Sequence, residues 1–274
     1  MRELSQAHMR VLTAAFLHVP PRRQRALLHG QDGALAEWAE QDTSRKVTHA
    51  RHRAREAAER LRKLGAHLVL CTDPEYPAGL NDLHDPPAFL TVRGQIPDGG
   101  IAIVGTRDAT ETALHLAFDV AKACGQSVVS GLARGIDTSA HRGALEAKLP
   151  TIAYVGTGLG VTYPPANKPL EDAIVAAGGA IVSERLPDEP VAAWALVHRD
   201  RLQAAHARAV VLIASESDGG AMHTMRFAAE LHRPSLAVSG GDFAFSGNAA
   251  AIAQGAHAVA PAASEIVKAL ARII

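Results

Sequence analysis

The chain has 274 residues, of which 47% are apolar and 20% charged, and its 28 basic and 28 acidic side chains balance to a net charge of zero. This composition is typical of a globular protein with one large domain, or a medium domain with an appendage. It argues against a chain that is basic throughout, although a local basic patch is compatible with it. Two cysteines make no disulfide framework, and no apolar run is long enough for a signal peptide or a membrane span. We therefore expect a cytoplasmic protein with no membrane contact.

Residues 1–65 predict a small helical domain. A first helix stops at two consecutive prolines, two short helices follow, and a longer helix covers residues 44–64, with Ser44 as its N-cap and Gly65 at its end. Eight Lys and Arg side chains crowd this longer helix. They predict either a solvated charged face or a surface that follows a nucleic-acid backbone.

The pattern changes after a connector with short strands at residues 66–100. Residues 101–274 alternate short apolar runs, such as IAIV, VVS and TIAY, with segments of helical periodicity. Continuous apolar runs are typical of strands buried on both faces, and their alternation with helices is typical of a parallel sheet. The predicted fold is therefore α/β: a doubly wound, mostly parallel Rossmann-like sheet, preceded by the small N-terminal helical domain.

Glycines follow the predicted strands at the end where each strand leads into a helix. Clear cases are Gly105 after IAIV, Gly131 and Gly135 after VVS, and the pair Gly219 and Gly220 before a later helix. In a doubly wound sheet, ligands bind at the carboxyl ends of the strands. Backbone N–H groups and helix N-termini at this edge attract anions, so the glycines predict a phosphate site there.

Two arginines and an aspartate complete this prediction. Arg107 and Arg134 follow two adjacent strand ends, so both would stand at the rim of the same crevice. An arginine there can hold phosphate with two hydrogen bonds, or it can be a surface residue paired with a carboxylate. Asp137 is expected as the N-cap of the helix that follows GLARGI.

Motifs for catalysis and for cofactors are missing or incomplete. GTGLG is only part of a dinucleotide fingerprint, and no Gly-Lys-Ser/Thr of a P-loop occurs. Ser130, Asp137 and His141 lack the nucleophile elbow of a hydrolase, so we expect structural roles for them. SDGGAMHTMRFAAE is faintly similar to a motif of nucleotide phosphoribohydrolases, but Phe227 stands where their catalytic Glu would be. With no His-Glu-x-x-His and no cysteine pair, we expect no metal, no cofactor and no enzyme.

Six segments occur in a familiar order and spacing: IAIVGTR, VVSGLARGIDTSAHRGAL, TIAYVGTGLGVTYPPAN, AIVSE, GGAMHT and SGNAAAIAQGAHAV. They resemble the DprA/Smf family (DNA-processing protein A), from about residue 73 to residue 258. The resemblance implies a Rossmann-like domain that binds single-stranded DNA without strict sequence preference. It also implies a homodimer that passes the strand to the RecA recombinase and has no established catalytic activity.

The resemblance places the family's anion pocket on the turns described above and adds a further arginine pair. The implied single-stranded DNA site consists of Gly105, Thr106, Arg107, Ser130, Gly131, Arg134, Gly135, Asp137, Gly158, Arg199, Arg201, Gly219 and Gly220.

The sequence also departs from the family. Asp200 stands between Arg199 and Arg201, where the family usually carries Asn, and adds negative charge beside the expected DNA path. The winged-helix module found at the C-terminus of many members is not expected, since the sequence ends soon after the last predicted helix. These departures keep a second hypothesis open: a standalone regulator that senses a nucleotide or nucleic acid and holds a toxin partner in check.

Overall fold

The computed structural model describes residues 4–33, 35 and 42–274. The N-terminal part is helical, and its described residues contain α1 (Gln6–Phe16), α2 (Pro21–Leu28) and α3 (Arg45–Lys63). The short helix predicted just before α3 falls largely on residues outside the described ones.

Helix α3 begins and ends where its sequence signals predict. The Ser44 Oγ accepts a hydrogen bond from the Val47 amide, and Gly65 follows the last turn with a φ of 65°. The helix buries one apolar stripe, which consists of Val47, Ala50, Ala54, Ala57 and Leu61. Most of its basic side chains are exposed on the other faces, an arrangement that suits both a solvated face and a nucleic-acid surface.

A sheet of nine strands, counted over the described part of the chain, forms the centre of the protein. The strands are β1 (Ala66–Leu70), β2 (Phe89–Gly94), β3 (Ile101–Val104), β4 (Val128–Ser130), β5 (Thr151–Tyr154), β6 (Ala180–Ser183), β7 (Ala209–Leu212), β8 (Ser235–Val238) and β9 (His257–Val259). Their order is β1-β2-β6-β5-β4-β3-β7-β8-β9, and the seven strands from β3 to β9 run parallel. This confirms the predicted α/β fold with a mostly parallel, Rossmann-like sheet.

Helices cover both faces of the sheet. They are α4 (Glu111–Ala123), α5 (Ile136–Glu146), α6 (Lys168–Ala176), α7 (Ala193–His198), α8 (Asp200–His206), α9 (Ala221–Glu230), α10 (Ser246–Ala253) and α11 (Ala263–Ile273). Ile101 and Ile103 of β3 pack with α4, α5 and α11 on one face, whereas Ala102 and Val104 pack with α8, α9 and α10 on the other. Burial on both faces explains why β3 reads as a continuous apolar run.

The order of the strands creates a switch point next to β3. From β3 the chain proceeds to β4, β5 and β6 on one side, and then crosses back to β7 on the other side of β3. The connections therefore leave β3 and β7 in opposite directions, and a crevice opens between their carboxyl ends.

The predicted connector contributes two strands to the same sheet. β1 pairs antiparallel with β2, and β2 pairs antiparallel with β6, with Val92 opposite Val182. Among the described residues, no helix combines the length and the apolar character that crossing a bilayer requires.

Candidate functional site

A cleft of about 420 Å³ lies at the switch point between β3 and β7. Its walls are the turn after β3, the start of α5, the inner side of α7 and α8, and the N-terminus of α9. This is the place where a doubly wound sheet binds its ligands.

The turn after β3 forms one wall. Gly105, Thr106 and Arg107 all line the cleft, as the sequence predicts for neighbouring strand ends. A side chain on Gly105 would meet Ile136 Cγ1 at 2.6 Å and the Ala214 carbonyl oxygen at 2.9 Å, so close packing requires glycine there. Arg107 is exposed, and no ion pair joins it to another residue of the described part of the chain.

The loop after β4 corrects the prediction for Asp137. The N-cap of α5 is Gly135, with a φ of 78°, and Asp137 lies within the first turn of the helix. The Asp137 Oδ2 accepts hydrogen bonds from the amides of Gly131 at 3.2 Å and Ala133 at 3.3 Å. Two amides expected to hold phosphate are therefore occupied by a carboxylate of the protein itself.

Arg134 lies beside the cleft, next to the lining residue Asp108, and it is already paired. Its side chain is 67% exposed and lies 3.1 Å from Asp108, which is 82% exposed and lines the cleft. An ion pair this exposed is weak. Its guanidinium can therefore exchange the carboxylate for a ligand phosphate at small cost.

Ser130 and His141 are fully buried, and Ser130, which the resemblance implies as a DNA contact, does not line the cleft. The Ser130 Oγ donates to the Ile103 carbonyl at 2.7 Å and so ties β4 to β3. The Thr151 hydroxyl donates to the Val128 carbonyl, so it must accept from His141 Nδ1 at 2.7 Å. Burial lowers the pKa of His141 to about 3, which keeps this ring neutral.

Arg199 occupies the floor of the cleft. It is 5% exposed, and its guanidinium donates to the Tyr154 carbonyl at 2.9 Å and lies 3.0 Å from Asp200 and 3.9 Å from Asp137. A side chain on Gly131 would overlap its Nη1 at 1.3 Å. Gly131 thus makes room for an arginine of the protein, and this is a different role from the phosphate contact that the sequence suggests.

The two carboxyls beside Arg199 respond to burial. Burial raises the pKa of Asp137 against the opposing effect of Arg199. It raises the pKa of Asp200 to about 7, and the charge of Asp137 raises it further while Arg199 lowers it. Gln203 donates to Asp200 at 3.0 Å, so a partly protonated acid, a glutamine and an arginine share the floor of the cleft.

The predicted contact of Arg201 with a bound strand is contradicted. Its side chain is 2% exposed and pairs with Glu184 at 2.5 Å and with Asp85 at 3.5 Å. His198 lies between the same two carboxylates, at 2.8 Å from Glu184 and 3.1 Å from Asp85, and their hydrogen bonds raise its pKa to about 9. Arg201 thus belongs to an ionic network of four groups, in which its guanidinium and Glu184 are largely buried whereas His198 and Asp85 are partly exposed.

The remaining glycines divide between two places. Gly219 and Gly220 line the cleft directly before α9, so the N-terminus of α9 borders the cleft. Gly158 lies outside the lining, packed so tightly on the next loop that a side chain would meet the Leu186 carbonyl oxygen at 2.0 Å. Sequence reasoning missed Gln203 and the α7 residues of the wall, whose only signal is their proximity to the arginine pair in the sequence.

Comparison with known proteins identifies the family that this chain matches. The family model of DNA recombination-mediator protein A matches residues 67–271. Protein Smf from Synechocystis sp. is 36% identical over 173 residues, which cover 59% of this chain and 43% of that protein. The chain thus spans less than half of that relative.

Two solved structures share the fold. DNA processing protein A from Streptococcus pneumoniae superimposes with a TM-score of 0.78 at 26% identity, over 100% of this chain and 99% of that one. The protein of the same name from Helicobacter pylori superimposes with a TM-score of 0.66 at 23% identity, over 76% of this chain and 96% of that one.

Proposed function

Because the chain belongs to the DNA recombination-mediator protein A family, we propose that its switch-point cleft binds the backbone of single-stranded DNA. The Helicobacter pylori relative binds single-stranded DNA. The family to which the chain belongs mediates DNA recombination, and we include this role in the proposal. We extend the proposal to a homodimer that delivers the strand to RecA.

The observation that carries the proposal is the position of Arg107. This exposed cation has no ion pair with another described residue, and it lines the same cleft as the N-terminus of α9. An arginine and a helix N-terminus on one cleft are complementary to a phosphate. Arg134 adds a second cation beside the cleft.

The internal charges of the cleft favour a ligand that binds through its backbone. Arg199 is fully engaged by Tyr154, Asp200 and Asp137, so the phosphates would be held by the exposed cations outside the floor of the cleft. Contacts to phosphates carry no sequence information, and we therefore expect similar affinities for strands of different sequence.

The test is fluorescence anisotropy of a labelled oligo-dT over a salt series, with Arg107→Ala and the matched control Arg226→Ala. Arg226 is an exposed arginine of α9 that lies outside the lining of the cleft. Arg107→Ala should weaken binding about tenfold and reduce the slope of log K against log salt by about 0.7, the loss expected for one phosphate contact to a single strand. Arg226→Ala should leave both unchanged. Equal effects of the two variants would rule out the cleft as the phosphate site.

A free nucleotide is the second candidate ligand. The volume of about 420 Å³ is that of a small-molecule site, and Asp200 and Gln203 offer hydrogen bonds to a base or a sugar. Mononucleotides are therefore included as competitors. Displacement of oligo-dT by a mononucleotide at comparable concentration would favour the hypothesis of a regulator that senses a nucleotide. Competition only by a second single strand would favour the binding of single-stranded DNA.

A further inference from the structure

Trp194 is the most exposed of the large apolar side chains in the described part of the chain. It is 61% exposed, compared with 49% for Ile274 and 39% for Tyr163 and Val191. A single exposed apolar side chain is common on protein surfaces and by itself indicates nothing. The surroundings of this one are informative.

Trp194 lies on α7, the helix that forms one wall of the cleft. Ala193, Leu196 and Val197 of the same helix line the cleft. Residues three apart on a helix are surface neighbours, with Cβ atoms about 5–6 Å apart. The indole therefore adjoins the wall at Val197 and continues the surface of the cleft outward.

A cation backs the indole ring. The Arg185 Cζ lies 4.8 Å from the centroid of the Trp194 ring, and Arg185 is held in place by Glu189 at 2.8 Å. The His198 ring makes a second, edge-on contact at 6.2 Å between centroids. Arg185 thus covers one face of the ring, and a ligand would approach the opposite face.

The charges around the indole are paired among themselves. Arg185 pairs with Glu189, and His198 pairs with Glu184 and Asp85. This surface therefore adds no unpaired cation for a phosphate. It adds a flat, apolar face next to a cleft that is suited to phosphate. Proteins that bind single strands combine these two features, with cations for the backbone and aromatic rings for the bases.

We propose that Trp194 is a stacking platform for one base of the strand whose phosphates lie in the cleft. The inference rests on the proposed function and deepens it, because it assigns a base subsite to a surface beside the backbone site. Every base has a π face, so the platform accepts all four bases with modest preferences.

The test compares oligo-dT with an oligomer of equal length in which every residue is abasic. The second oligomer offers the same phosphates and no bases. Wild-type protein should bind oligo-dT about 5- to 100-fold more tightly than the abasic strand, the range for one stacked base. Trp194→Ala should remove most of this preference and leave the affinity for the abasic strand unchanged, whereas Arg107→Ala should weaken both oligomers by the same factor.

Two further variants separate stacking from general apolar contact. Trp194→Phe keeps a π face and should retain part of the preference, whereas Trp194→Leu is apolar without a π face and should behave as Trp194→Ala. In a Trp38→Phe background, Trp194 is the only tryptophan, and its emission should be quenched when oligo-dT is added but not when the abasic strand is added.

Three outcomes would overturn the platform. The first is an unchanged preference in Trp194→Ala, and the second is unquenched emission in a protein that binds oligo-dT. The third is a shift in sedimentation of Trp194→Ala without a change in binding, which would assign the indole to a contact between copies of the chain. Failure of wild-type protein to bind either oligomer would instead overturn the proposed function, and the platform with it.

Discussion

Two pairs of arginines that look equivalent in the sequence have opposite environments in the fold. Arg107 is exposed at the rim of the cleft, and Arg134 is 67% exposed beside it. Arg199 and Arg201 are 5% and 2% exposed, and both are surrounded by carboxylates. The difference teaches that an arginine near a binding cleft is available to a ligand where it is exposed, and not where it is buried among carboxylates of the protein.

The sharpest way to break this comparison is to remove one arginine from each pair. Arg201→Ala removes a buried guanidinium and leaves Glu184 with the partly exposed His198 as its cation, so it should lower the free energy of unfolding by about 3 kcal/mol. Arg134→Ala removes a weak surface pair and should change it by less than about 0.5 kcal/mol. Urea denaturation of both variants measures the difference. Similar losses in the two variants would show that burial does not determine how much an arginine contributes to stability here.

A second substitution tests whether residue 131 must be glycine to leave space for the Arg199 guanidinium. Gly131→Ala would place a methyl group on the buried guanidinium, which would have to give up its hydrogen bond to Tyr154. We expect a loss of about 2–3 kcal/mol in the free energy of unfolding.

Gly220→Ala is the matched control for this substitution. Gly220 lines the cleft, but a side chain there meets nothing within 4 Å and its φ is not positive. Its stability should therefore stay within about 0.5 kcal/mol of the wild type. If Gly131→Ala were equally harmless, Arg199 would be mobile and could reach a ligand after all.

The pH dependence of stability tests whether Asp200, beside the buried Arg199, is shielded from water. The pKa of Asp200 is raised to about 7 in the folded protein from 3.8, so the folded state holds more protons than the unfolded state between pH 4 and 7. Stability must then fall as pH rises through this window. Asn at this position keeps the acceptor oxygen for Arg199 and Gln203 but cannot ionise. The difference in unfolding free energy, Asp200→Asn minus wild type, should increase from pH 4 to pH 7.

This difference also isolates Asp200 from other buried groups. The pKa of His141 is lowered to about 3 and that of His206 to about 4, so both histidines destabilise the fold as pH falls below about 6.5. Their effect has the opposite sign, but it is common to both proteins and cancels. A pH-independent difference would show that Asp200 ionises normally and that the floor of the cleft is open to water.

The sequence by itself determined the fold class and the edge of the sheet at which the cleft lies. Both depend on local periodicity: continuous apolar runs mark strands buried on two faces, and glycines mark their carboxyl ends. This is why Gly105, Thr106, Arg107, Gly219 and Gly220 were expected together and do line one cleft.

Only the tertiary structure determines which backbone amides and arginines are already paired with other groups of the protein. The capture of the Gly131 and Ala133 amides by Asp137, and the burial of Arg201 beside Glu184, depend on contacts between segments whose mutual approach no local pattern encodes. The same holds for β1 and β2. Their short spans predict a connector, but β2 pairs with β6, and so both strands are part of the sheet. The physical reason is that burial and charge neutralisation are properties of the assembled neighbourhood, whereas periodicity belongs to the chain itself.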